Sequence, residues 1–256
     1  MIVTDQGESW RLITQPDHAR FSGQLLRLWR DPELAEHPRR GEIVFAGREH
    51  DNGWREADAA PSWDGERGRP HDFQTLPPAP RIELWLRGTA RFAGDQPYAT
   101  LLVCLHALNF YRRGGDEAWD GMVETIERRR DELLETTGTD LGRALADYRF
   151  VRFADAASLA VCTGDREPFT DRVPADRRAV APGVSAAGTP AAEREIRGRF
   201  DPETATLHLE PLPLAGATRF EIPIRTLPRR RYAGDADLGG ELAAARWSRT
   251  TVRVAS

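Results

Sequence analysis

The residues with the clearest chemical potential lie near position 50, where His50 and Asp51 are adjacent in the hexapeptide EHDNGW. A neutral imidazole and a carboxylate both donate to metal ions. Two donors do not complete a coordination shell, so the remaining ligands must come from distant parts of the chain.

Three further groups of metal-ligand type lie on apolar faces of predicted helices: His18, His106 and Asp155. A single histidine in such a place is more often a hydrogen-bonded core residue than a ligand. A buried carboxylate is costly unless a cation or several donors compensate it, and Arg152, three residues earlier, offers a local ion pair as the alternative. Taken together, these positions favour one shared metal site over several unrelated buried polar residues.

The donor types leave the metal open. Inward-pointing His and carboxylate side chains on facing helices are a common way to hold a metal. Nitrogen and oxygen donors without a thiolate are compatible with Mn, Fe, Zn, Mg or Ni. His71, in a loop, and His106 could extend the site to a second metal, although His71 could equally be a residue at the rim.

The positions of these residues depend on a mainly α core. Apolar spacing predicts a helix that begins at Pro16 and an apolar segment over residues 41–50. It predicts further helices over residues 82–92, 98–113, 117–136 and 141–163. Residues 52–80 show no period, and a loop of that length predicts a functional lid or rim beside the His-Asp pair.

The remaining segments are predicted to be less regular or to contain strands. Residues 2–14 could form a strand or hairpin, and residues 164–193 are read as a flexible connection. Residues 194–256 alternate in the manner of strands and are predicted to form a small β-rich C-terminal extension. The domain organisation is therefore a helical metal-binding core over residues 1–163, the connection, and the extension, whose packing on the core is left open.

Composition narrows the functional classes. The net charge of −4 gives no electrostatic signature of a nucleic-acid partner. All basic side chains are Arg, so neither a lysine nucleophile nor a phosphate-binding loop with its Lys is expected. No signal peptide and no membrane span are expected, and Cys104 and Cys162 are predicted to be free, buried thiols. The expected compartment is the cytoplasm.

Two resemblances follow from the motifs. The order of His18, the pair His50-Asp51 and Asp155 resembles the HD-domain superfamily of helical, metal-dependent phosphohydrolases. That resemblance implies an HD-like helical bundle with these residues as ligands, although Trp54 stands where many of those hydrolases have a Lys. Four segments are also similar to a bacterial family of unknown function that covers nearly the whole chain: QPDHA (15–19), EHDNGW (49–54), PHDF (70–73) and DAASL (155–159).

The resulting hypothesis is a metal-dependent hydrolase that acts on a phosphoester-like or other small anionic substrate. Glu49 and Asp51 are the candidate catalytic residues. The candidate substrate-binding residues are Gln15, Trp54, Asn109 and Arg113, and the candidate metal ligands are His18, His50, Asp51, His71, His106 and Asp155. The alternatives are a two-iron oxygenase, which HD-like folds also support, and a non-catalytic binding or assembly module. The oligomeric state is left open.

Overall fold

The computed structural model of the chain describes residues 1–114, 117–175 and 193–256. In these ranges the helices are α1 (Gln15–Arg27), α2 (Pro32–Ala35), α3 (Arg40–Glu49), α4 (Arg55–Ala59), α5 (Pro78–Gly88), α6 (Pro97–Phe110), α7 (Glu117–Thr137), α8 (Leu141–Thr163) and α9 (Asp235–Ala244). The strands are β1 (Ile2–Asp5), β2 (Ser9–Ile13), β3 (Trp63–Asp64), β4 (Arg69–Pro70), β5 (Phe169–Pro174), β6 (Glu193–Asp201), β7 (Thr206–Glu210), β8 (Thr218–Pro228) and β9 (Ser248–Ala255). A 3-10 turn, Asn52–Trp54, joins α3 to α4.

Seven of these strands form one sheet in the order β1-β2-β8-β9-β7-β6-β5. Neighbouring strands are antiparallel except β7 and β9, which run parallel. The N-terminal hairpin joins the C-terminal strands through β2 and β8, with Trp10 opposite Leu227. Both ends of the chain therefore contribute to the same sheet.

The expected mainly α, HD-like helical bundle with a small β-rich extension is wrong. The chain has an α/β fold in which the helices pack with a seven-stranded sheet. Apolar alternation predicted most of the strands, but it carries no information on strand partners, and the pairing of β2 with β8 spans most of the sequence. Strand β5 lies within the predicted connection of residues 164–193, and residues 176–192 of that connection lie outside the described residues.

Local capping interactions set the ends of two helices. Thr14 caps α1 by accepting a hydrogen bond from the Asp17 amide at 3.1 Å. Asp140 caps α8 in the same way, accepting from the Arg143 amide at 2.9 Å. Helix α8 ends at Gly164, whose φ of 77° is the left-handed conformation that glycine adopts most readily. The start of α1, which carries His18, and both ends of α8, which carries Asp155, are thus fixed by short-range interactions.

Helix α8 lies at the centre of the core and packs against α1, α3, α6 and β5. Phe150 and Phe153 both contact the ring of Trp29 edge to face at 5.5 Å. Phe21 on α1 contacts Phe220 on β8 at 5.0 Å, which joins the helical layer to the sheet. None of the helices in the described ranges is both long and apolar enough to cross a membrane.

Candidate metal centre and its cavity

Two glycines bring α1 and α3 into close contact. A Cβ at Gly23 would lie 2.9 Å from the Cα of Arg48, and a Cβ at Gly47 would lie 2.5 Å from a methyl carbon of Leu26. Glycine at these positions lets the two helix backbones approach. As a result His18 on α1 faces His50 at the end of α3, with 3.1 Å between their Nε2 atoms.

Two carboxylates complete this cluster. Asp155 on α8 places Oδ1 at 3.0 Å from His18 Nε2 and 3.3 Å from His50 Nε2. Asp51 Oδ2 lies 3.7 Å and 3.6 Å from the same two nitrogens. Donors that share one metal at about 2.0–2.2 Å lie roughly 3–3.5 Å apart. The observed separations are close to that spacing, so these buried side chains could hold a metal ion.

His106 on α6 adds a third imidazole. Its ring centre lies 4.7 Å from that of His50. The potential ligand atoms form two overlapping groups, His18 with His50 and Asp51, and His50 with His106 and Asp155, and within each group all atoms lie within 4.8 Å of one another. Four elements, α1, the end of α3, α6 and α8, therefore supply donors to one place.

The Nδ1 atom of each imidazole contacts a group outside the cluster. His18 Nδ1 lies 2.5 Å from Ser158 Oγ, His50 Nδ1 lies 2.9 Å from the carbonyl oxygen of Gly47, and His106 Nδ1 lies 3.2 Å from the hydroxyl of Tyr148. In a metal-bound form, Nδ1 would donate in each case and Nε2 would keep a free lone pair for the ion. This tautomer is the one that metal-binding histidines need.

The charges of the metal-free cluster are strongly coupled. Burial disfavours the His50 imidazolium, but Asp51 and Asp155 outweigh it and raise its pKa to about 9. Burial opposes ionisation of Asp155 too, yet hydrogen bonds from His18 and His50 hold its pKa well below the usual range. Burial, and then His50, lower the pKa of His106 to about 3. Without a metal, His50 and Asp155 are an ion pair and His106 is neutral.

The cluster opens on one side into a cavity of about 400 Å³. Its lining consists of Gln15, Asp51, Trp54, Phe73, Gln74, Arg81, Trp85, His106, Phe110, Tyr111, Asp155 and Leu159. His18 and His50 lie behind this surface, with fully buried side chains. A small molecule in the cavity would therefore meet the carboxylate and His106 side of the cluster.

The other predicted site residues divide into two groups. Gln15 and Trp54 are buried and line the cavity, as does Phe73 of the predicted lid or rim. Glu49 is buried as well, but it pairs with Arg55 and, at 3.6 Å, with Arg48.

Three predicted residues lie away from the cavity. Asn109 is exposed at the end of α6, and Arg113 is exposed and paired with Glu127 at 2.7 Å. His71 lies 3.9 Å from Asp64 and is among the residues of a separate, much smaller crevice that includes Met1. The structure does not bring these three to the cluster.

The sequence reasoning missed several residues of the site. Ser158 lies one helical turn after Asp155, so its spacing was a usable signal for a contact near the cluster. Tyr148 lies within the predicted helix over residues 141–163, but its type gave no signal of a role beside His106. Arg81 and Trp85 lie in α5, where their types and spacing look like those of any amphipathic helix.

Part of the EHDNGW motif has a structural role. Asn52 donates through Nδ2 to the carbonyl oxygens of Glu49 at 2.8 Å and Gly88 at 3.1 Å. A Cβ at Gly53 would lie 2.1 Å from the carbonyl oxygen of Leu84. These two residues fix the chain after His50 and Asp51 against α5.

Comparison with known proteins identifies the family of the chain but assigns no activity to it. No curated protein and no solved structure matches the chain. The resemblance to the HD-domain superfamily finds no support in these comparisons, whereas the resemblance to a family of unknown function is confirmed. The family model described as "Protein of unknown function (DUF3891)" matches residues 1–229, so the chain belongs to the DUF3891 family.

Proposed function

We propose that the chain is a metal-dependent hydrolase that acts on a small anionic substrate such as a phosphoester. One observation carries this proposal: a buried cluster of His and Asp donors opens on one side into a cavity of small-molecule size. A purely structural cluster would have no reason to face a cavity.

The donor set supports a metal within the proposal. His18, His50, Asp51 and Asp155 would hold the ion, with His106 as a fifth candidate ligand. Their nitrogen and oxygen atoms are compatible with Mn, Fe, Zn, Mg or Ni. Such a metal, when bound, lowers the pKa of a coordinated water and polarises a phosphoryl oxygen.

The residues of the chain have separate roles in this proposal. Ser158 and the Gly47 carbonyl orient His18 and His50 from behind. Asp51 faces the cavity, so the carboxylate oxygen that does not bind the metal is placed to accept a proton from the attacking water. Glu49, already paired with Arg55, is less well placed for that role.

The geometry favours one metal over two. The two groups of donors share His50, and His50 Nδ1 contacts the Gly47 carbonyl, so only Nε2 is left for a metal. A single imidazole nitrogen binds one cation. A two-iron oxygenase would need a further donor in place of His50 for its second iron, and His71, the other candidate, lies elsewhere.

The test is the metal content of untagged protein, measured by elemental mass spectrometry. We expect about one equivalent in the wild type, and its loss in His50→Ala and Asp155→Ala with the fold intact by circular dichroism. His71→Ala is the matched control and should retain the metal. Loss of metal in His71→Ala as well would instead support the second metal position predicted from the sequence.

Activity is measured next, as metal-supported hydrolysis of phenyl phosphate by the wild type and by Asp51→Asn. The hydrolase proposal requires turnover that depends on both the metal and Asp51. If no metal binds after addition of Mn, Fe or Zn, the proposal is rejected. The cluster would then be a buried hydrogen-bond network in a non-catalytic protein.

A further inference from the structure

Arg81 is the cationic side chain of the cavity. It lies near the start of α5. Among the described residues that line the cavity, it is the arginine. It forms no ion pair with the described residues, and its guanidinium lies 5.2 Å from the ring centre of Trp119. A guanidinium without a carboxylate partner, held beside a cavity, is suited to bind an anionic group through paired hydrogen bonds.

Buried polar atoms around the same cavity lack a partner. Trp54 Nε1, Trp85 Nε1, Gln15 Oε1 and Arg81 Nε form no hydrogen bond within the described part of the chain. The three residues Gln15, Trp54 and Trp85 are 3%, 3% and 6% exposed, so solvent reaches them poorly. A buried donor or acceptor without a partner costs about 1–3 kcal/mol. The wall of the cavity formed by Gln15, Trp54 and Trp85 therefore contains polar atoms whose hydrogen bonding is incomplete within the described residues.

Several other residues of the lining are aromatic. Phe73, Trp85, Phe110 and Tyr111 surround the cavity, and Tyr111 stacks on Trp119 at 4.5 Å. Phe110 is 54% exposed, so the part of the cavity wall that it forms reaches the surface. Aromatic faces favour a planar or apolar ligand body, and about 400 Å³ limits it to a small molecule.

We propose that the substrate is a small aromatic phosphomonoester, whose anionic group is bound by Arg81 and whose ring packs among Phe73, Trp85 and Tyr111. Binding in this manner depends on the cavity alone. The hydrolysis that follows rests on the proposed function of the neighbouring cluster.

The test uses phenylphosphonate, which binds like an aromatic phosphate but has no ester bond to hydrolyse. Its affinity is measured by isothermal titration calorimetry for the wild type, Arg81→Gln and Arg128→Gln. Arg128 is exposed on α7 and provides the same loss of charge outside the cavity. We expect about tenfold or greater weakening in Arg81→Gln, as for a lost charge-assisted pair, and about unchanged affinity in Arg128→Gln.

Two further measurements test the separate contributions of the guanidinium group and of the aromatic ring. Arg81→Lys keeps the charge without the planar fork and should bind with intermediate affinity, which guards against a misfolded Arg81→Gln protein. Inorganic phosphate should bind about tenfold or more weakly than phenylphosphonate, because it lacks the ring. Equal affinities for both anions would overturn the aromatic part of the proposal.

The substrate assignment and the hydrolase proposal can be rejected independently of each other. If Arg81→Gln binds phenylphosphonate as tightly as the wild type does, the substrate assignment is wrong even if phenyl phosphate is hydrolysed. If Arg81→Gln loses binding while the protein takes up no metal, the cavity assignment stands and the hydrolase proposal is rejected.

Discussion

At the scale of single residues, the candidate centre depends on groups that hold the imidazole rings from outside. The Ser158 hydroxyl accepts a hydrogen bond from the Ser22 hydroxyl at 2.8 Å and donates one to the Asp155 carbonyl oxygen at 3.1 Å. Its second lone pair can therefore accept a hydrogen bond from His18 Nδ1. The Tyr148 hydroxyl can likewise accept a hydrogen bond from His106 Nδ1. Such outer contacts fix both the orientation and the tautomer of a ligand.

We therefore expect Tyr148→Phe to weaken metal binding by about 10- to 100-fold, because His106 loses the oxygen that accepts from Nδ1. The measurement is a competitive titration with a chelating dye. Tyr98→Phe is the matched control: Tyr98 also donates a buried hydroxyl, to Asp147 at 2.6 Å, but it lies outside the cluster. Equal metal affinities in the wild type and Tyr148→Phe would remove His106 from the ligand set.

The cysteines give a second prediction at this scale. Cys104 and Cys162 are free and buried, as expected from the sequence. Burial raises the pKa of each thiol to about 12. Because the thiolate is the reactive form, neither should react with a thiol reagent at pH 8 in the folded protein, and both should react in denaturant. Rapid modification of the native protein at that pH would contradict the buried placement.

At the scale of elements, the site depends on close approach between helices. Gly23 and Gly47 set the distance between α1 and α3, and Gly53 sets the contact of the turn after His50 with α5. Glycine appears at these positions because a Cβ would collide with backbone or a buried side chain.

Gly53→Ala should destabilise the protein by roughly 1–3 kcal/mol or more, because the added methyl group would overlap the carbonyl oxygen of Leu84. Urea unfolding followed by circular dichroism measures the change. Gly121→Ala is the control on α7, where nothing lies within 4 Å of the new methyl group. There the better helix propensity of Ala should stabilise by about 0.8–1 kcal/mol. Similar stabilities of the two variants would contradict the close contact at Gly53.

At the scale of the whole molecule, the sheet joins the two ends of the chain. Residues 194–256 supply β7, β8, β9 and most of β6, and β8 lies between β2 and β9. Without β8, the β1-β2 hairpin would have no further strand to pair with, and an isolated hairpin is only marginally stable. Phe21 on α1 would also lose its contact with Phe220.

Removal of residues 194–256 is therefore expected to abolish metal binding and activity together. Thermal unfolding by circular dichroism should show no cooperative transition in the shortened chain, since the core and the sheet share one set of buried contacts. A truncated protein that unfolds cooperatively and retains its metal would show that the helices form an independent domain.

The sequence by itself determined which donor types are present and much of the local structure. His18, His50, His106, Asp51 and Asp155 were found because polar donors on apolar faces are costly to bury without a partner. Approximate helix boundaries followed from apolar periodicity, and the caps seen at Thr14, Asp140 and Gly164 involve only neighbouring residues.

Only the tertiary structure decided which of these groups meet. It separated His71, Asn109 and Arg113 from the cavity and brought in Arg81, although all four residue types suited the predicted chemistry equally well. His37, which lies outside the predicted helices, is buried and contacts Asp147 at 3.1 Å. The sheet was missed for the same reason: periodicity reports which face of a segment is buried, whereas strand partners and cavity walls arise from contacts between residues far apart in the chain.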